Sequence, residues 1–185
     1  MFYEIKVRSF IRVPPNSFTV KTEDAVLKNL IESYENYVNK DYGFVIGVIK
    51  VIDIGDGIII PGDGAAYYDT TFSLLIFKPE LHELAYGSVS EITEFGAFVD
   101  IGASEAMVHI SQTMDDYVSF NKAGTLVGKE SKKVLKAKDK CKVRIITVSF
   151  KEIENPRIGL TMRQPLLGSL NWQVNEKKKQ SESRK

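Results

Sequence analysis

The residues best suited to chemistry with a ligand are aromatic side chains and a histidine in two short alternating segments. In residues 96–101, the alternation places Phe98 on the face opposite the aliphatic residues. In the second segment, Val108 and Ile110 are predicted to face the core and His109 the solvent. An exposed aromatic ring beside an exposed imidazole on a small barrel is a stacking platform for unpaired bases. These segments therefore predict a site for single-stranded nucleic acid.

Structural alternatives accompany each of these residues. Phe95 either stacks on a base or fills the mouth of the barrel, and the sequence favours neither. His109 is either a core histidine or a contact to a base or phosphate, and its outward position in the alternation favours the contact. Asp100 is interpreted as a structural or orienting residue, because a carboxylate repels phosphate.

Three basic residues complete the candidate RNA site. Arg157 lies on the polar face of its predicted strand. Lys142 and Arg144 share their parity with Ile146 and Val148, so a β-bulge or a strand end must intervene for the two basic residues to face solvent. Their positive charges would follow phosphates while Phe98 and His109 stack on bases.

Charge is distributed unevenly, although the 185-residue chain has a net charge of only +1. Residues 1–120 hold 8 Lys and Arg against 18 Asp and Glu, a net charge of −10. Residues 121–185 hold 17 against 6, a net charge of +11, part of which lies in a lysine-rich tail that is predicted to be solvated. The basic half suits phosphates, and the acidic half is expected to meet a protein.

The sequence gives little support to enzyme chemistry, metal binding or membrane insertion. Cys141 is the only cysteine, which excludes an internal disulfide framework and fits a reducing cytoplasm. His82 and His109 are the only histidines, and no carboxylate cluster has metal-ligand spacing. We therefore expect no catalytic residue, no metal and no cofactor. No apolar run reaches membrane-spanning length, so we expect a cytoplasmic protein with no membrane partner.

The first predicted domain, residues 1–80, is an α+β unit with an antiparallel sheet and one main helix. Thr22 is the predicted N-cap of that helix. Residues 44–54 and 57–60 are predicted to be separate strands. Two triplets are predicted to be hairpin turns, in which Gly and Asp supply positive φ angles: Gly55, Asp56 and Gly57, and Gly62, Asp63 and Gly64.

The second predicted domain, residues 81–165, is an all-β five-stranded OB-fold barrel. The predicted strands cover residues 83–92, 96–101, 106–110, 142–150 and 157–162, with a long connection before the fourth. Residues 166–185 form an appendage in which apolar residues up to Trp172 are predicted to dock on the body, followed by the charged tail.

Motifs along the barrel resemble the ribosomal S1-type RNA-binding domain. The matching stretches are 87–89, 95–102, 108–111 and 157–162. Further motifs extend the resemblance over essentially the whole chain: Val13-Pro14-Pro15, Asp41-Tyr42-Gly43-Phe44, Gly62-Asp63-Gly64-Ala65 and Met114-Asp115-Asp116-Tyr117. Together they resemble the E-prime family, the larger stalk subunits of archaeal DNA-directed RNA polymerase.

The resemblance implies a non-catalytic polymerase subunit that binds single-stranded nascent RNA and aids initiation and processive elongation. It implies a truncated RNP-like first domain that docks to the polymerase core near the clamp through the two glycine–aspartate triplets. It also implies a heterodimer with the small helical stalk subunit of the same polymerase. The alternative is a free-standing RNA-binding factor in translation or RNA metabolism.

One loop departs from the family pattern. Relatives carry Gly-Pro after the first barrel motif and a glycine before the histidine motif, whereas this chain has Ala103-Ser104-Glu105-Ala106. The loss of glycine restricts the backbone, and Glu105 adds a negative charge near the proposed face. We expect this departure to affect RNA affinity more than the fold.

Overall fold

The structure, a computed structural model, describes residues 1–121, 124–152 and 156–172. The lysine-rich tail, which the sequence predicts to be solvated, lies outside these residues. The chain divides into two compact units, Met1–Lys78 and Pro79–Lys185. Within the described ranges, no helix is both long enough and apolar enough to cross a membrane.

The first unit is an antiparallel sheet with one helix packed against it. Its strands are β1 (Phe2–Val13), β2 (Val38–Asn39), β3 (Gly43–Ile59) and β4 (Ala66–Phe77), in the spatial order β1-β4-β3-β2. A 3-10 turn (Pro15–Ser17) and helix α1 (Thr22–Tyr34) connect β1 to β2. The helix buries Ala25, Val26 and Leu30 in a cluster with strand residues. The predicted α+β class is confirmed.

Two local predictions for this unit are wrong. Helix α1 begins at Thr22 itself, and the N-cap position is held by Lys21, which makes no side-chain capping bond. Strand β3 runs unbroken through residues 55–57, so these residues are not a hairpin turn. Gly55 and Asp56 instead face the single residue Asp69 on β4, which makes a β-bulge. Glycine is typical of bulges as well as turns, so composition alone did not separate the two.

The described residues of the second unit form nine strands. They are β5 (Leu84–Thr93), β6 (Gly96–Asp100), β7 (Glu105–His109), β8 (Val118–Asn121), β9 (Thr125–Gly128), β10 (Val134–Leu135), β11 (Lys140–Ser149), β12 (Arg157–Thr161) and β13 (Gly168–Ser169). Five of them form a sheet in the order β12-β7-β6-β5-β11, and β11 also pairs with β12. This additional pairing closes the sheet, and the predicted five-stranded OB-fold barrel is confirmed.

Alternation along the barrel strands places small and aliphatic side chains inside. On β6 and β7 the fully buried residues include Ala97, Val99 and Val108. On β11, Ile145 pairs with Leu160, but the next paired residue is Thr147, so the ladder to β12 contains a bulge at Ile146. The side-chain parity of β11 therefore changes at this point. Of the two alternatives that the sequence left open for Lys142 and Arg144, a bulge or a strand end, the structure has the bulge.

A small sheet and the C-terminal segment pack beside the barrel within the second unit. Strands β8, β9 and β10 form a three-stranded sheet in the connection between β7 and β11. The Asp116 carboxylate accepts backbone N–H groups of Glu130 and Ser131, which holds the turn after β9. Trp172 is buried, and its indole N–H donates to the Val134 carbonyl at 2.8 Å. This bond docks the described end of the chain onto the small sheet.

Gly96→Ala is expected to destabilise the barrel. Gly96 has a φ of +154°, and a Cβ there would lie 2.0 Å from the Val108 carbonyl oxygen. Backbone strain and the forced shift of β7 should lower the free energy of unfolding by about 2–4 kcal/mol, measured by urea denaturation. Gly102→Ala is the control, because its φ is +93° but no described atom lies within 4 Å of the added carbon. Equal losses in both variants would contradict the role of the clash.

Candidate nucleic-acid interface

The outer face of β6 and β7 presents Phe98, Met107 and His109 together. In this antiparallel ladder Phe98 pairs with Met107, and Gly96 pairs with His109. Phe98 and His109 are therefore diagonal neighbours on one face, with Cα atoms about 7–8 Å apart for such a pair. The residue opposite His109 on β6 is a glycine and therefore has no side chain to place against the imidazole ring.

Phe95 lies in the turn between β5 and β6, where its side chain is 70% exposed. Its carbonyl accepts the Ile110 N–H at 2.8 Å, which places the turn beside His109. The alternative in which Phe95 fills the mouth of the barrel is therefore wrong. Ile110 itself begins a short 3-10 helix and is only half-buried. We call Phe95, Phe98 and His109 the aromatic face.

Two contacts with Ser111 orient the His109 ring. Its Nδ1 lies 2.8 Å from the Ser111 hydroxyl oxygen and also accepts the Ser111 backbone N–H at 3.3 Å. Both contacts use Nδ1, and Nε2 bonds to no described residue. The exposed ring therefore has a nitrogen available to a ligand, as the outward position in the sequence predicted.

Carboxylates border the aromatic face. Glu91 on β5 pairs with Phe98, and Asp100 on β6 pairs with Glu105. The Asp100 carboxylate accepts the Gly102 N–H at 2.8 Å, so it orients the loop after β6. These negative charges disfavour phosphate at this border, and a ligand would reach the aromatic face through its bases.

Lys142 and Arg144 lie on a different face, where β11 pairs with β5. Lys142 pairs with Tyr86, and its Nζ lies 5.3 Å from the centre of the tyrosine ring. Tyr86 is 69% exposed, and sequence reasoning missed it. The alternation along β5 could have identified it, because Tyr86 has the opposite parity to the buried Val89 and is therefore expected to face outward.

Arg157 lies apart from both the aromatic face and the face of β5 and β11. It is exposed and forms an ion pair with Glu152 at 3.7 Å. Strand β12 runs parallel to β7 with Gly159 beside Met107. Arg157 precedes Gly159 by two residues, whereas His109 follows Met107 by two residues. The two side chains therefore lie toward opposite ends of the strand pair, and the structure does not bring Arg157 to the aromatic face.

The lone cysteine does not add reactive chemistry. Burial, together with the smaller effect of the nearby Asp139 carboxylate, raises the pKa of the Cys141 thiol to about 12. The thiol therefore stays protonated at neutral pH, which removes the nucleophilic thiolate. In the part of the chain that the structure describes, no group of three or more His, Cys, Asp or Glu residues could hold a metal ion.

The turn between β3 and β4 contains the second glycine–aspartate triplet. Gly62 and Gly64 have φ angles of +97° and +68°, as a tight turn requires. The Asp63 carboxylate accepts from Arg12 Nε at 2.9 Å and from the Tyr67 hydroxyl. These bonds hold the pKa of Asp63 well below its usual range. Asp63 therefore ties the turn to β1 and β4.

An apolar run precedes this turn. Ile58, Ile59 and Ile60 are all exposed, and Ile59 is 66% exposed. We call residues 58–64 the hairpin tip. The bulge at Gly55 and Asp56 lies in β3 before this tip. Gly57 follows the bulge and pairs with Tyr68, whose ring lies where a side chain at position 57 would be.

Comparison with known proteins assigns a family to both units. Residues 9–64 match the SHS2 domain found in the N terminus of Rpb7p/Rpc25p/MJ0397, and residues 78–152 match the S1 RNA binding domain. DNA-directed RNA polymerase subunit Rpo7 of Saccharolobus solfataricus is 38% identical over 180 residues, which cover 96% of this chain and 100% of that protein. The chain belongs to the Rpo7 family of RNA polymerase subunits.

Other relatives agree with membership of the Rpo7 family. Rpo7 of Sulfolobus acidocaldarius is 36% identical over 173 residues, covering 93% of this chain and 94% of that subunit. DNA-directed RNA polymerase III subunit RPC8 of Saccharomyces cerevisiae is 30% identical over 114 residues, covering 62% of this chain and 54% of that subunit. The resemblance stated from the motifs is confirmed: the chain is a polymerase stalk subunit with an S1-type domain.

The Asp63 network predicts acid sensitivity in the first unit of this Rpo7-family chain. Because the folded pKa of Asp63 lies below its usual 3.8, the network stabilises the fold above that pH and is lost as pH falls through the lowered pKa. We expect the urea midpoint to fall on acidification below pH 3.8, and to fall less in Asp63→Asn. Lys28→Ala is the control, with an unchanged acid response. Identical pH profiles for Asp63→Asn and the unchanged protein would contradict this role.

Proposed function

We propose that this chain is a non-catalytic stalk subunit that binds unpaired nascent RNA and docks to the polymerase core. The observation that carries the RNA-binding part is the aromatic face. Phe95, Phe98 and His109 project from the second and third strands of an OB-fold barrel and the turn before them. This is the region with which OB-folds bind oligonucleotides.

RNA binding at the aromatic face rests on stacking. Phe98 offers a ring for one base, and His109 offers a ring and the free Nε2 for a neighbouring base. Every base has a π-face, so this contact needs no particular sequence. By retaining the transcript near its exit path, the chain would raise the effective concentration of RNA at the polymerase and favour processive elongation.

Docking to the core uses the hairpin tip. Its three exposed isoleucines supply apolar area, and the bonds of Asp63 to Arg12 and Tyr67 pre-order the turn. A turn that is already ordered loses little conformational entropy on binding. If the tip binds the closed state of the polymerase clamp more tightly than the open state, docking would shift the clamp toward closure and so aid initiation. The family resemblance supports a heterodimer with the small stalk subunit as the second protein contact.

The same proposal assigns no catalytic role to the chain by itself. His82 and His109 are the only histidines, and the Cys141 thiol is held protonated. These residues supply no general base paired with a nucleophile or metal. Catalysis would belong to the polymerase into which the chain assembles.

The aromatic face is tested by the double variant Phe98→Ala/His109→Ala. Removing both rings should weaken RNA binding by roughly 1–3 kcal/mol per lost stack, measured by fluorescence anisotropy with a labelled oligouridylate at two salt concentrations. Tyr117→Ala is the matched control, because it removes an exposed ring from the connection between β7 and β8. A folded double variant that binds RNA as well as the control does would exclude the aromatic face as the RNA site.

The hairpin tip is tested by Ile59→Asp. A carboxylate forced into an apolar contact without a partner costs about 1–3 kcal/mol or more, so co-purification with the polymerase core should fall by about tenfold. RNA affinity should not change. Leu81→Asp places the same charge at an exposed leucine outside the tip and should assemble normally. Normal assembly of Ile59→Asp would remove the hairpin tip from the docking surface.

A further inference from the structure

A row of cations follows the outer side of β11. Lys140, Lys142 and Arg144 alternate with residues that are fully buried in the barrel. In an extended strand, side chains two residues apart face the same side at intervals of about 6.6–6.8 Å. We call these three residues the basic row. Such regular spacing suits contact with successive phosphates of an extended single strand.

The turn before β11 continues the positive charge. Lys136 and Lys138 are exposed there. The Lys138 N–H donates to the Val89 carbonyl at 2.7 Å, and the Val89 N–H donates to the Asp139 carbonyl at 2.9 Å. These two bonds hold the turn against β5, so its exposed lysines lie next to the start of β11.

The cross-strand partners of the basic row are uncharged. Across β5, Lys140 pairs with Ser88, Lys142 with Tyr86 and Arg144 with Leu84. On the other side of β11, Lys142 pairs with Gly168 and Arg144 with Thr161. None of the three cations forms an ion pair with a described residue. The charges of Lys140 and Lys142 are therefore available to an anion, in contrast to the carboxylate border of the aromatic face, whereas the Nε of the half-buried Arg144 is buried.

Tyr86 supplies the second component of a single-strand site. Its ring is largely exposed on β5, and Lys142 Nζ lies 5.3 Å from the ring centre. The pair places an aromatic ring and a cation next to each other on rigid, directly hydrogen-bonded strands. Proteins that bind single strands without sequence preference combine these two features, a cationic track and aromatic rings on which bases stack.

We propose that the outer face of β5 and β11 is a second RNA-binding surface of this protein, separate from the aromatic face. Phosphates of an extended RNA strand follow the basic row, and one base stacks on Tyr86. The inference rests on the proposed RNA-binding function and adds to it a distinct strand path. The basic row supplies the salt-dependent part of binding, which the aromatic face with its carboxylates does not.

Salt dependence tests the basic row. Anisotropy titrations of the full chain with a labelled oligouridylate are repeated over a series of salt concentrations. Lys140→Ala/Lys142→Ala should reduce the slope of log affinity against log salt by about 1.4, since each phosphate contact on a single strand contributes about 0.7. Arg144 stays unchanged because its Nε is buried. Lys28→Ala/Lys40→Ala removes the same charge from the first unit and should leave the slope as it was.

Substitution of the tyrosine tests the stacking contact. Tyr86→Ala should weaken oligouridylate binding by roughly 5- to 140-fold, the range for one lost base–aromatic stack. Tyr86→Phe should bind as the unchanged protein does, because it keeps the ring. Tyr117→Ala should also bind normally, because its exposed ring lies outside both surfaces.

The outcomes separate this inference from the proposed function. If the lysine and Tyr86 variants bind RNA normally and Phe98→Ala/His109→Ala does not, the second surface is wrong and the proposed RNA-binding function stands. If the unchanged chain does not bind the oligouridylate at any salt concentration, both are overturned. Loss of affinity and of salt slope in the β11 variants, with intact folding by circular dichroism, would establish the second surface.

Discussion

The barrel depends on a single strand, β11, that pairs with β5 along one edge and with β12 along the other. The bulge at Ile146 bends β11 within the stretch that pairs with β12. Inside, Cys141, Val143 and Ile145 are completely buried. Because a closed barrel has one interior, every second residue of β11 before the bulge is forced outward. For this reason Lys140, Lys142 and Arg144 lie on the outer side of β11, where Lys140 is exposed and the other two are half-buried.

The same constraint separates the two proposed RNA-binding surfaces of the second unit. The aromatic face lies on β6 and β7, and the basic row lies on β11 with β5 between them. The two proposed RNA-binding surfaces therefore lie on different parts of the barrel wall. Glu91 pairs with Phe98 and Glu105 pairs with Asp100, and these carboxylates suit a surface that contacts bases. The uncharged strand partners of Lys142 suit a surface that contacts phosphates.

The first unit presents a short apolar segment, residues 58–60, next to an ordered turn. Strands β3 and β4 form a long hairpin with repeated bulges, and its turn is tied back to β1 by Asp63 and Arg12. A turn held by an ion pair and a tyrosine hydroxyl keeps its shape without burying its isoleucines. The exposed apolar run next to it is consistent with a surface that is covered on assembly.

The sequence by itself determined the α+β class of the first unit, the five strands of the barrel and the outward positions of Phe98 and His109, because alternation is a local property of the chain. Its motifs also carried the resemblance to the polymerase family. The sequence required either a bulge or a strand end after Arg144 if Lys142 and Arg144 were to face solvent, because Ile146 and Val148 share their parity. It did not distinguish a bulge from a turn at Gly55, where both use the same residue types. Only the tertiary structure decided that Phe95 is exposed, that Arg157 lies away from His109 and that Tyr86 lies beside Lys142. Those placements depend on the register between strands that are distant in sequence, and no local pattern encodes which outward side chains come to share one surface.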